Sequence, residues 1–298
     1  MTLAFITPLR HPHNSADYGQ VESLLKDTLA SISRQTSEDF VAIVVGNRAP
    51  AFPLPRRTHF VNVDFPPPSA LHGPCTGRLP SVWDKCTKLG IGLIAARDFA
   101  PDYVMFADAD DFVHRDLAAF TRAHPGQPGW VMKRGLIYSR RRNAYGVRRH
   151  LHRICGSSHV VPFDAYGVPS ALTVSATQQE VALAFRDYAE RVLGGHRYAY
   201  EWWADRGRRL QPLPFAGAVY HVDHGENHSG SQLLGPGLPY RSHLERDFGI
   251  RPSRGTASTL WCSVGPAAMK PDLRPRRPFF MRAKADTLES YSAGLQSV

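Results

Sequence analysis

Short apolar runs alternate with amphipathic stretches through the first third of the chain. Leu3-Ala4-Phe5-Ile6-Thr7 is a strand-like run that stops at Pro8. After a polar loop, Val21, Leu24, Leu25, Leu29 and Ile32 recur at the spacing of one helix face, with Asp17 or Ser15 placed to cap it. Phe40-Val41-Ala42-Ile43-Val44-Val45 then forms a continuous run ending at Gly46-Asn47. A run without polar alternation suits a strand covered on both faces, as in a parallel sheet. A third strand is expected over 58–64 and a helix over 81–99. A fourth strand over 103–106 runs straight into Asp108-Ala109-Asp110-Asp111. Strands alternating with helices predict an α/β fold: a Rossmann-like, mostly parallel sheet flanked by helices, with ligands at the carboxyl ends of the strands. Three loops therefore carry the most weight, 7–13, 46–48 and 107–114.

Further along, residues 130–153 read as a β-hairpin with its turn near Asn143-Ala144-Tyr145-Gly146. Helices are expected over 177–193 and 198–206. Beyond about Gly265 the chain is rich in Pro and Arg, and a basic C-terminal tail over 265–298 is expected.

Composition narrows the class. With 43% hydrophobic and 21% charged residues, the 298-residue chain is neither wholly disordered nor collagen-like. No window approaches the ~18 uninterrupted apolar residues of a membrane span. The first residues lack a cationic start and the apolar run breaks at Pro8 and Arg10, so the cytoplasm is the expected compartment. Cys75, Cys86, Cys155 and Cys262 are scattered without a Cys-x-x-Cys pair, which favours reduced thiols. The formal charge of +10 favours anionic partners such as nucleotides, nucleic acid or lipid headgroups. Residues 133–153 alone carry eight Lys or Arg and no acid.

The densest chemistry follows the fourth strand. Asp108 and Asp110 are alternate carboxylates where a strand ends, and both can reach one hard divalent cation, Mn or Mg, that also holds a diphosphate. A turn or a helix cap would use the same residues. Lys85 and Lys88, three apart on the preceding helix and following Asp84, suit a diphosphate or a solvated helix face. Gly156-Ser157-Ser158 reads as a pocket lining or as a plain turn. There is no Gly-x-Ser-x-Gly elbow, Walker loop or His-Glu-x-x-His motif, so serine hydrolases, P-loop NTPases and zincins drop out.

The first strand, the helix ending in Ser31-Ile32-Ser33-Arg34-Gln35-Thr36, the Phe40 to Gly46 run and the aspartate cluster together resemble the nucleotide-sugar half of a family 2 glycosyltransferase. The likeness covers roughly residues 1–235 and is nearest to bacterial sugar transferases of the rhamnosyl type. It implies a GT-A fold with an Asp-x-Asp metal motif, hexosyl transfer from a nucleoside diphosphate sugar, UDP by family frequency, and inversion at the sugar. Within it, 1–120 would be the nucleotide-sugar half and 121–264 the acceptor half. Thr7, Pro8, Leu9, Arg10, Asn47, Lys85, Lys88 and Asp108 would meet the nucleotide. Many members place an Asp where Gly46-Asn47 stands here, which leaves the choice of base open.

His224-x-x-Asn227-x-Ser229 resembles a His-x-x-Asn-x-Ser segment that completes the metal and diphosphate site, so Asp108, Asp110 and His224 are the implied ligands. His221 and His228 compete with His224. The family's catalytic base is an Asp or Glu shortly before that segment. Here the position falls at Gly195-His196-Arg197. His196, with an ordinary pKa of about 6.5, is the first candidate and Glu201 the second, with Asp205 and Glu180 behind them. Glu201 would also suit an i,i+4 pairing with Arg197.

Two other readings compete. The 133–153 stretch would serve a nucleic-acid-binding protein, although only Tyr138 and Tyr145 are there to stack on bases. It would equally hold an anionic acceptor, either a phosphorylated lipid carrier or an acidic glycan, with the basic tail touching the inner face of a membrane. A metal hydrolase would be built on His221, Asp223, His224 and His228.

Overall fold

The computed structural model describes residues 1–73, 76–227, 230–265 and 268. β1 (Leu3–Pro8) lies at the heart of a seven-stranded sheet. β2 (Phe40–Gly46) and β3 (Thr58–Asn62) extend it on one side and β4 (Tyr103–Phe106) pairs on the other, all parallel. The chain thus steps outward from β1 twice and returns to its opposite edge. The crevice between β1 and β4 is a topological switch point, where open α/β sheets bind ligands. Beyond β4 the sheet continues with antiparallel β9 (His159–Pro162), then β6 (Trp130–Val131) and β10 (Gln211–Pro212). The expected class, α/β with a mostly parallel sheet flanked by helices, is the one found.

Side-chain alternation along β1 explains the layering. Ala4 and Ile6 face α2 (Arg78–Ala96), α4 (Gln178–Phe185) and α5 (Ala199–Asp205). Leu3 and Phe5 face α1 (Tyr18–Ile32) and a second sheet. All seven residues of β2 are buried, as its unbroken apolar run requires. α1 carries the expected stripe and is capped by Asp17, which accepts from the Gln20 amide at 3.3 Å. α2 packs so closely that a Cβ on Gly92 would lie 2.2 Å from Ile6 Cγ2. α3 (Leu117–Ala123) follows the aspartate loop.

The second sheet was not foreseen. Its order is β12 (Leu238–Pro239), β8 (Ala144–Arg149), β7 (Arg134–Ser139), β11 (Ala218–Val222), β5 (Phe112–Val113). The expected hairpin is β7 and β8, but its turn is at 140–143, and Trp130 and Val131 belong to the other sheet. α6 (His243–Phe248) covers the outer face through Leu244 and Phe248, and α7 (Thr256–Val264) follows.

The helix expected over 177–193 is two pieces. α4 ends at Phe185, Arg186 takes a φ of 43°, and a π-helical turn runs Ala189–Leu193. The 265–298 tail lies outside the described residues apart from Gly265 and Ala268, as does Cys75. Among the described residues no helix is long and apolar enough to cross a membrane.

Candidate nucleotide and metal site

β4 delivers Asp108, Asp110 and Asp111 to the switch point, and each meets a different environment. Asp111 is fully buried. It accepts from Ser157 Oγ (2.7 Å), Cys155 Sγ (3.2 Å) and the His221 amide (3.1 Å). Burial, then the neighbouring Asp110 and Asp108 charges, push its carboxyl well above the ordinary range. Asp111 is thus a structural acid that ties the loop to β11 and to residues 155–157.

Asp108 and Asp110 remain partly open. Lys85, on α2, places Nζ 2.5 Å from Asp108 Oδ1. Burial pulls the Lys85 pKa down, but Asp108, then Asp110 and Asp111, outweigh it and hold the ammonium above its usual value. On the other side, His224 Nε2 lies 3.1 Å from Asp110 Oδ2. Burial pushes Asp110 up, yet His224, with smaller help from His221 and Arg10, brings the carboxyl below its ordinary value.

The 3.1 Å edge between Asp110 and His224 matches the roughly 3 Å between neighbouring ligands of an octahedral ion with bonds of about 2.1 Å. Among the described residues no three His, Cys, Asp or Glu groups close on one point. Mg-type sites commonly use one or two carboxylates and complete their shell with water and phosphate oxygens, and Mn tolerates an imidazole. Asp110 and His224 fit such an ion, and Asp108 would join them by turning from Lys85. Ser229 and His228 lie outside the described residues. Asn227 Nδ2 donates to the Tyr220 hydroxyl at 3.3 Å.

Lys88 does not share the setting of Lys85. Its side chain is 0% exposed, and Nζ donates to Asp84 Oδ2 (2.8 Å) and to the Leu9 carbonyl (2.9 Å). Neither the solvated face nor a diphosphate contact describes it. It pins the β1 loop from behind. Thr7 and Leu9 are also buried, each at 1% exposure, so their side chains face the core rather than the cleft. Arg10 is partly exposed and paired with Glu226 at 2.7 Å. Glu226 also accepts from the amides of Ala16 and Asp17 at 3.1 Å, joining the loops after β1 and β11 to the start of α1.

A cavity of about 560 Å³ opens at the carboxyl ends of β1, β2 and β3, between His11, Asn47, Arg48, Asp64 and Phe65. Asn47 Nδ2 donates to the Phe65 carbonyl (2.8 Å), and the Arg48 guanidinium stacks 3.9 Å over the Tyr18 ring. Asp64 is exposed there. It supplies a carboxylate from the strand next to Asn47, and the polar residue closing the third apolar run was the signal for it. Gly156 and Ser157 reach the aspartate cluster through tertiary packing. Ser157 Oγ accepts from the Asp108 amide (2.8 Å) while donating to Asp111. A Cβ on Gly156 would lie 2.5 Å from Asp108 Oδ2 and 3.0 Å from Lys85 Nζ.

The candidate bases separate by neighbourhood. Burial first, then the Lys85 charge, lowers His196 to about 4, with Asp108 opposing. His196 therefore shares the electrostatic field of the cluster and is neutral at pH 7. Glu201 pairs through Oε1 with Arg153, not with Arg197. Burial raises its carboxyl, but hydrogen bonds from its own amide and Arg153 hold it below the ordinary range. Glu180 is spent on a capping box with Thr177, accepting from its amide and hydroxyl at 2.8 Å. Asp205 is exposed at the end of α5. For the hydrolase set, the His221 and His224 rings lie 4.9 Å apart, but His221 is 1% exposed, Asp223 Oδ2 accepts from the Leu233 amide at 3.3 Å, and no three of the described members close on one point.

The chain matches no protein-family model and no curated protein. Among solved structures, it is similar to a candidate nucleotide-diphospho-sugar transferase of Desulfovibrio desulfuricans G20, at 8% identity over 74% of this chain and 82% of that one, with a TM-score of 0.33. It is also similar to the glycosyltransferase GlyE of Streptococcus pneumoniae TIGR4, at 12% identity over 72% of this chain, with a TM-score of 0.32. The match spans 45% of GlyE.

Proposed function

We propose that the chain is a GT-A-type glycosyltransferase that moves a hexosyl group from a nucleoside diphosphate donor, UDP first among them, to an acceptor hydroxyl with inversion. The observation that carries this reading is one juxtaposition. A cavity lined by His11, Asn47 and Asp64 opens at the carboxyl ends of β1, β2 and β3, and the Lys85–Asp108 and His224–Asp110 pairs stand after β4, at the carboxyl end of the neighbouring strand of the same sheet. The cavity suits a nucleoside, and the Lys85 ammonium together with a cation at Asp110 and His224 would suit its diphosphate.

Asp108, Asp110 and His224 would hold Mn or Mg, which when bound neutralises charge on the leaving diphosphate. Lys85 is a fixed ammonium at the same place and stabilises the same developing charge. Arg10, partly exposed and held by Glu226, adds positive potential from the β1 side. In the transfer step, the acceptor oxygen bonds to the anomeric carbon as the carbon–oxygen bond to the diphosphate breaks. The leaving nucleotide keeps that electron pair, and the acceptor proton passes to His196. An imidazole of pKa about 4 is as strong a base as an ordinary carboxylate, the group usually used for this step.

The direct test is to incubate the full chain with UDP-sugars, Mn and short glycans or alkyl phosphates, and to follow UDP release. Turnover lost in Asp110→Ala supports the reading. Absence of UDP release and of UDP binding contradicts it.

A further inference from the structure

The basic stretch that the sequence presents as one block serves two purposes. Arg142 is 7% exposed and donates to the carbonyls of Leu233, Gly235 (2.7 Å), Cys262 (3.0 Å) and Ser263 (3.1 Å). Arg140 pairs with Asp27 at 2.7 Å and Arg153 with Glu201. These three belong to the framework. Lys133, Arg134, Arg149 and His150 instead line a cavity of about 420 Å³, with no acidic side chain among the described residues that line it. Among the described residues neither Arg134 nor Arg149 is in an ion pair, and both are exposed.

Arg134 and Arg149 are also directly opposite one another across β7 and β8. Like charges in that position repel and weaken a sheet. Lys133 adds a third charge, held over the Tyr200 ring at 4.4 Å with Nζ 3.1 Å from its hydroxyl. A carboxylate opposite either arginine would remove the repulsion. Three cations around a cavity are instead stabilised by an anion that several of them share, and a phosphate has the oxygens for bidentate arginine contacts.

The cavity is tied to the aspartate cluster. His150 lines it, Cys155 donates to Asp111, and Gly156 abuts Asp108 and Lys85. Six residues of chain span at most about 20 Å, and a 3₁₀ turn over Leu151–Arg153 shortens the reach. α5, which bears Tyr200 and Glu201, touches both the cavity lysine and Arg153.

We propose that this cavity binds a phosphate group carried by the acceptor. The site itself stands on the cationic lining, and its assignment to the acceptor rests on the transferase reading above. The shared chemistry is a phosphate ester, borne either by a lipid or by a soluble glycan.

The test compares the full native chain with an Arg134→Gln/Arg149→Gln variant. Inorganic pyrophosphate is titrated by calorimetry in the presence of saturating UDP and Mn, so that the donor side is filled. The native chain should bind it, more weakly as salt rises, and the variant about tenfold or more weakly. In phosphate-free buffer Arg134→Gln alone should melt no lower than the native chain, because it relieves a repulsion. Flotation with phosphatidylcholine vesicles, with and without phosphatidic acid, separates the two sources. Recruitment by phosphatidic acid that the variant loses assigns a lipid-borne phosphate, and pyrophosphate binding without recruitment assigns a soluble one. Identical pyrophosphate isotherms for native and variant chains overturn the site. Binding of single-stranded DNA tighter than pyrophosphate, and lost in the variant, overturns it in favour of nucleic acid. Should UDP fail to bind, the transferase reading falls, while the native-to-variant comparison still decides the anion site.

Discussion

Lys85 Nζ sits 2.5 Å from Asp108 Oδ1, so the first carboxylate of the Asp108-Ala109-Asp110 run is already neutralised by a side chain of the protein. The two remaining acids diverge: His224 steadies Asp110 as an anion, while burial makes Asp111 a poor one. In the proposed site the cluster would offer a metal only part of its charge, and the diphosphate would be shared between an ion and an ammonium. Replacing Lys85 by Met should weaken UDP binding in chelator about tenfold or more, the scale of one charge-assisted hydrogen bond. Calorimetry with and without Mn measures it. An unchanged affinity in chelator would remove Lys85 from the donor site.

Gly156 is predicted to be intolerant of even one methyl group. The obstructing atoms are the ends of the Asp108 and Lys85 side chains, so Gly156→Ala displaces the site before it strains the fold. UDP release should fall about 10²-fold, the usual cost of a misplacement near 1 Å, while the melting temperature stays within a few degrees. Near-native turnover would contradict the packing described.

Lys88 supports the site from within. Lys88→Met leaves Asp84 buried without its partner and should cost about 3–5 kcal/mol, measured by urea unfolding. Lys88→Met/Asp84→Leu should recover much of that loss, since the uncompensated charge is gone. A double variant no better than the single one would mean that the Leu9 carbonyl contact, not the charge pair, dominates.

These three residues also show how far the sequence could be read. β2 was legible because an unbroken apolar run admits little else, and Asp108 and Asp110 because they follow the β4 run directly. The second sheet was not. Its β11 joins β7 across about eighty residues, and β5 and β12 are two residues long, too short for periodicity to register. Lys85 and Lys88 look equivalent at a spacing of three, yet one faces the cleft and the other the core. Gly156 and Ser157 reach Asp108 only through tertiary packing, and no local pattern marks that contact. The His-x-x-Asn-x-Ser resemblance singled out His224, which lies beside Asp110, whereas the Arg10–Glu226 tie that braces its loop leaves no local pattern.

Buried histidines should make the fold acid-sensitive. Burial, then His152 and His196, lower His159 to about 3, against about 6.5 in the unfolded chain. Its contribution to stability is therefore complete above pH 6.5 and is lost as the pH falls from there towards 3, by up to about 1.4 kcal/mol per unit. His159→Gln should flatten the dependence of the unfolding midpoint between pH 6 and 4. An equally steep dependence in the variant would assign the effect elsewhere.

In the proposed transfer the imidazole that takes the acceptor proton is His196. The base must be unprotonated, and its pKa is near 4, so turnover should be level from pH 8 to about 5 and fall as the pH drops through 4. His196→Ala should lower kcat by about 10²- to 10⁴-fold with UDP affinity unchanged. A near-native rate in that variant, with collapse in Glu201→Gln, would move the role to the carboxylate on α5.

In the proposed transfer Asp108 and Asp110 form a cation-assisted diphosphate site at the same sheet edge as a nucleoside cavity. Titration calorimetry of UDP into the native chain and into Asp110→Ala, each with Mn and with chelator, tests it most directly. The native chain should bind tightly with Mn and more weakly in chelator, and Asp110→Ala should show no difference between the two conditions. Equal UDP affinity with Mn and with chelator in the native chain, or no UDP binding at all, would contradict it.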